Sequence, residues 1–116
     1  MFRRLRKNRS PMTRSDVVDS VAVSPDGTAF GLSMIETRPW TGDGQQVEQF
    51  RDQLNSYLAF ILDGQLDREY PESVGKRRVV ILHCVEEPPQ EIHEAVKQIL
   101  HDHEIEFEVW PLDDPD

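Results

Sequence analysis

Between Asp43 and Gly64 the apolar residues Val47, Phe50, Leu54, Tyr57, Leu58, Ile61 and Leu62 recur in steps of three and four. That spacing gathers side chains on one face of an α-helix. Asp43 is placed to cap the helix, with Gln46 three residues on as its capping-box partner. Gly64 is its stop, because glycine enters the left-handed conformation without steric cost. Glu48, Arg51, Asp52, Asn55 and Ser56 supply a solvated opposite face. A one-sided helix of this length must lie on another layer, so the stretch commits the chain to a layered fold.

The flanking segments supply a sheet. Val17 to Val23 and Thr28 to Glu36 read as two strands joined by Ser24-Pro25-Asp26-Gly27, a turn in which proline presets φ and glycine takes it positive. Arg38 to Gly44 is a loop, with Trp40 tucked over an end of the core. After the long helix, Gln65 to Tyr70 forms one more short turn before Pro71, and Glu72 to Gly75 is a loop. Val79 to Val85 is apolar almost without interruption, the signature of a central strand buried on both faces. Pro88-Pro89 opens a second helix reaching about His103, with Ile92, Ala95, Val96, Ile99, Leu100 and His103 in helical spacing. Ile105, Phe107 and Val109 then alternate with Glu106, Glu108 and Trp110, a strand near a sheet edge.

The expected fold is a single α+β domain in the order ββαβαβ: a four-stranded mixed sheet with two helices packed on one face. The last two strands should be parallel if adjacent, being joined through a helix. The central strand offers two apolar sets, Val79, Ile81 and Val85 on one side and Val80, Leu82 and Cys84 on the other. One set meets the helices, and the sequence does not say which. The other would face water in a monomer, rimmed by Glu106, Glu108 and the hairpin serines, so the expectation is either a homodimer through the open sheet face or Trp110 and the N-terminal segment folded over it.

A chain of 116 residues makes one domain. Its boundaries are expected at 15–110, between a disordered basic arm over 1–14 and an acidic tail over 111–116. No apolar run approaches the roughly 20 residues of a membrane span, and the basic N-terminus lacks the apolar stretch of a signal peptide. Cys84 is the single cysteine, in keeping with a reducing cytoplasm. The formal net charge of -9 is uneven: five basic residues precede Met12, leaving 8 against 22 acidic ones, or -14, for the remainder. Such a body repels nucleic-acid phosphates and attracts basic partners. The arm, five basic residues without interleaved aromatics, is a weak nucleic-acid signal.

Several stretches carry a resemblance: Val17-Val18-Asp19, Trp40, Leu54-Asn55-Ser56-Tyr57-Leu58-Ala59-Phe60-Ile61, Gly64-Gln65, Tyr70-Pro71 and Gly75 followed by Val79-Val80-Ile81. From about Val17 to Val109 the chain resembles a family of small bacterial proteins catalogued as domain of unknown function 6572. The resemblance implies the same fold and a bacterial, cytoplasmic origin, and it brings no reaction, cofactor or catalytic residue. Its members begin shortly before the first strand, which favours Met12 as the true start. They typically follow the tryptophan with an aspartate, where this chain has Thr41.

No motif specifies a reaction, and nothing calls for a cofactor or a metal. His83 and Cys84 are adjacent but point to opposite faces of a strand, so they cannot share a proton. His93 and His101 stand about 12 Å apart by helix rise, too far for one ion to bridge. His101 and His103 are better explained by the favourable helix C-terminus. The leading expectation is a non-catalytic protein-binding or assembly domain that engages a basic partner, as an immunity protein or antitoxin would. Trp40, Asn55, Tyr70, Glu106 and Glu108 are its candidate contact residues. One alternative is a small hydrolase or metal-dependent enzyme using Asp63, Asp67, Glu69, Glu72 and the helix-end histidines. The other is nucleic-acid binding through the arm.

Overall fold

The structure is a computed structural model that describes residues 3–4, 20–42 and 44–112. Its elements are β1 (Arg3–Arg4), β2 (Ser20–Val23), β3 (Ala29–Glu36), α1 (Gly44–Leu62), α2 (Gln65–Glu69), a 3-10 turn (Pro71–Ser73), β4 (Arg77–Cys84), α3 (Gln90–His101) and β5 (Ile105–Pro111). The strands lie in sequence order across one sheet. Strand β2 runs antiparallel to β3, and β3, β4 and β5 are mutually parallel, with Leu32 aligned to Val80 and Val80 to Phe107. This is the α+β, mixed-sheet ββαβαβ body expected, with α2 as a third helix and the two residues of β1 added beside β2. Arg3–Arg4 belong to the basic arm; the rest of the arm, Asp43 with its proposed cap, and residues 113–116 lie outside the described residues.

The hairpin closes as its turn chemistry dictates. Gly27 takes φ +75°, and its N–H donates to the Ser24 carbonyl at 2.9 Å. Asp26 Oδ1 accepts from Ser24 Oγ at 2.7 Å, from Thr28 Oγ1 at 2.8 Å and from the Thr28 N–H at 3.1 Å. These donors hold the Asp26 carboxyl down at a pKa of about 2, the Ser24 hydroxyl contributing most.

All three helices pack on the same side of the sheet. Phe50, Leu54, Tyr57, Leu58 and Ile61 of α1, Leu66 of α2, and Val96 and Leu100 of α3 join Val21, Val23, Phe30, Leu32, Met34, Val80, Leu82 and Cys84 in one buried cluster. The set that meets the helices is therefore Val80, Leu82 and Cys84. Tyr57 also donates from its hydroxyl to the Ser33 carbonyl at 2.5 Å, tying α1 to β3.

One expectation about α1 is corrected. Leu62 is 51% exposed, whereas Phe60, not counted in the apolar face, is 2% exposed. At about 100° per residue the buried arc is centred on Phe50 and runs from Phe60 on one side to Leu58 on the other. Leu62 falls beyond it. The chain leaves α1 through Gly64, φ +87°, before entering α2. Gln46 looks polar in sequence but is 4% exposed. Its side chain holds the preceding loop, donating to the Pro39 carbonyl at 3.1 Å and accepting from the Thr41 N–H at 3.3 Å.

On the second sheet face it is the covering by Trp110, the alternative to an open apolar face, that is found. Val79 and Ile81 do not face water: they are 1% and 2% exposed and form a small cluster with Ala29, against which Trp110 packs. Only Val85 of the expected set is exposed, at 61%, together with Ile35 from β3 at 45%.

Candidate functional site

Strand β5 ends the sheet, and among the described residues no strand pairs with its outer edge. Helix α3 lies beside it, anchored by Val96 and Leu100 and by the His93 ring standing edge-on to Phe107 with centroids 5.4 Å apart. The two elements leave a groove of about 580 Å³, lined by Glu94, Lys97, Gln98 and His101 from α3 and by Ile105, Glu106, Phe107 and Glu108 from β5. The four helix residues follow i, i+3, i+4, i+7 spacing and so form a single stripe. Alternation along β5 turns Ile105 and Phe107 toward the helices and Glu106 and Glu108 toward the second face.

The polar groups around the groove are tied locally. Arg77 Nη1 meets Glu106 at 3.1 Å, an exposed ion pair of small energetic value. Trp110 Nε1 donates to Glu108 at 2.9 Å, and Gln98 donates to Asp102 at 2.9 Å. Between α3 and β5, Glu104 holds φ +61°, a left-handed conformation that crowds the Cβ of an L-residue. From Glu86 to Glu108 the chain carries eight carboxylates against one base, Lys97. All eight are exposed except the half-buried Glu108. The groove lining contains no hydroxyl or thiol that could act as a nucleophile; what it offers is negative charge beside an unpaired strand edge.

Of the candidate contact residues, Glu106 and Glu108 come together on this groove. Trp40 lies elsewhere, half-buried, edge-on to Phe50 at 5.6 Å, with its Nε1 donating to the Glu86 carbonyl at 3.0 Å. Asn55 is exposed on the solvent side of α1. Tyr70 is 2% exposed inside the core, and its hydroxyl has no hydrogen-bond partner among the described residues. Burial, helped by Glu69 and Glu72, pushes its pKa up to about 12. Glu94, Lys97 and Gln98 were missed as site residues. Their signal was a polar stripe on a helix that runs directly into an alternating edge strand.

The other residues with chemical potential are drawn apart. Cys84 is buried on the helix face, where desolvation, with Glu87 and Glu36, raises the thiol pKa. His83 faces the opposite way, its Nε2 3.2 Å from Ser33 Oγ and its ring edge-on to Trp110 at 5.5 Å. Asp67 is held by Arg78 at 3.0 Å and by the Ser73 hydroxyl at 2.6 Å, and Glu69 accepts from Gln65 at 2.9 Å. Among the described residues, no group of three or more His, Cys, Asp or Glu side chains is arranged to hold a metal ion. No helix among them is long and apolar enough to cross a membrane.

No curated protein matches the chain, and no solved structure does. A family model matches residues 11–113, nearly the whole sequence, and the chain belongs to that family of unknown function, DUF6572.

Proposed function

We propose that the chain is a non-catalytic binding domain whose acidic α3–β5 side engages a basic protein partner. The observation that carries this reading is the concentration of charge: the stretch from Glu86 to Glu108 holds -7 of the formal -9. An immunity protein or antitoxin that neutralises a basic effector is a concrete form of the same chemistry. Charge of one sign on one flank steers a partner of opposite sign and fixes its orientation more than it adds to affinity. The hydrolase alternative loses support from the fold, since Asp67 and Glu69 are occupied by Arg78, Ser73 and Gln65 while His101 opens on the α3–β5 groove.

The test is the affinity for a partner co-purified from the native cell, measured across ionic strength. Screening shortens from about 10 Å at 0.1 M salt to about 3 Å at 1 M. Binding should weaken steeply over that range, and Glu94→Gln should slow association. An affinity indifferent to salt overturns the reading.

A further inference from the structure

The acidic flank is also the place where the sheet stops. Strand β5 is seven residues long and parallel to β4 on its inner side, with no strand among the described residues on its outer side. In a parallel pair, alternate residues turn their N–H and C=O groups away from the partner strand, so the outer edge presents a row of backbone donors and acceptors. The groove beside that edge has a wall formed by the α3 stripe and a floor at Ile105 and Phe107. An edge strand beside a helix is the arrangement in which an extended peptide adds as a further strand, backbone bonds giving affinity and alternate side chains giving specificity.

We propose that the β5 edge accepts an extended segment of a basic partner, added as the next strand of the sheet. This deepens the acidic-surface reading and rests on it. Charge fixes the occupant. Glu106 and Glu108 lie two residues apart on the second face, so the incoming segment presents Lys or Arg at every second position there. Its intervening side chains turn toward α3, apolar ones covering Phe107. A second copy of this chain fits poorly: symmetric antiparallel pairing of two β5 strands sets Glu106 and Glu108 opposite the same carboxylates, and like charges directly across a ladder destabilise it.

The probe is a short synthetic peptide of alternating lysine and valine, titrated into the full chain at low salt, alongside the same peptide N-methylated at alternate residues. Methylation removes backbone donors but keeps charge and side chains. The unmethylated peptide should bind, weaken with added salt, and slow hydrogen exchange of β5 amides. Methylation should cost at least about tenfold in affinity, and Glu106→Gln combined with Glu108→Gln should weaken binding without changing the fold. Equal binding of both peptides overturns strand addition and leaves the acidic-surface reading standing. Failure of both peptides to bind overturns both readings. A dimer of the chain with protected β5 amides and no peptide binding makes the occupant a second copy and overturns the proposal.

Discussion

The two faces of the sheet use the same strands for different purposes. On the helix face nineteen buried residues, drawn from four strands, three helices and Tyr70 just after α2, form one continuous cluster. On the second face the buried cluster among the described residues is Ala29, Val79 and Ile81. It is bordered by polar pairs: Arg77 with Glu106, Ser33 with His83, and Trp110 with Glu108. Successive residues of β4, such as Ile81 and Leu82, belong to opposite faces, so the strand alone does not decide what each contributes. The surroundings do. A large apolar cluster cannot close around a lost side chain, whereas a small one bordered by flexible polar groups relaxes further.

The sharpest way to break this comparison is to truncate both neighbours. Leu82→Ala should cost about 4 kcal/mol in denaturant unfolding and Ile81→Ala about 2 kcal/mol, opposite ends of the range for buried aliphatic truncations. Equal losses would mean that the second face is packed as tightly as the first. Among the described residues the buried Tyr70 hydroxyl has no hydrogen-bond partner, as is true of Glu69 Oε1 and Arg78 Nε. Tyr70→Phe should therefore stabilise the fold by about 1–3 kcal/mol, the usual cost of a buried unsatisfied polar group. The native protein should also lose stability as pH rises from 10, the ordinary tyrosine value, to about 12, because folding favours the protonated phenol. The phenylalanine variant should lack that component, and an unchanged alkaline profile would mean that the phenol ionises as readily in the folded chain as in the unfolded one.

At the rim of the helix face, Glu36 accepts from Arg38 Nε and from the Arg38 N–H, both at 2.9 Å, and the arginine lowers the carboxyl pKa. The stability from this pair is present above the ordinary value of 4.5 and is lost as pH falls through the lower folded value. Glu36→Gln should cost about 1 kcal/mol at neutral pH and flatten that acid limb. The smallest expected effect on stability is at Ile35 on the second face, where Ile35→Lys should change it by less than about 0.5 kcal/mol. If a homodimer forms through Ile35, Val85 and Trp110, the same change abolishes it. Light scattering behind gel filtration reads this directly, and a monomer mass for the unmodified chain at every dilution removes the dimer.

What could be read from the chain was whatever repeats locally. The Ser24 to Gly27 turn, the unbroken apolarity of β4 and the alternation of β5 each declare an element through neighbours a few residues away. Tertiary choices left no such trace. Phe60 rather than Leu62 is inside, a choice of arc that the spacing of the apolar residues in α1 leaves open. Gln46 is buried with its amide bonded to the loop at Pro39 and Thr41, contacts that its place in the sequence does not announce. The α3–β5 groove was half legible: Glu106 and Glu108 stood out by alternation, while Glu94, Lys97 and Gln98 acquire meaning only when α3 is laid along the sheet edge.

The parallel arrangement of β3 and β4 also governs how quickly the chain can find its shape. The β2–β3 hairpin closes around a tight turn, an event on the scale of about 1–10 μs in small hairpins. The next pairing sets Ala29 beside Arg77, two residues 48 positions apart in the chain. All of α1 and α2 must be gathered into the crossover before that ladder returns any free energy. The rate-limiting event is therefore expected to be the docking of β4 onto a preformed hairpin and α1.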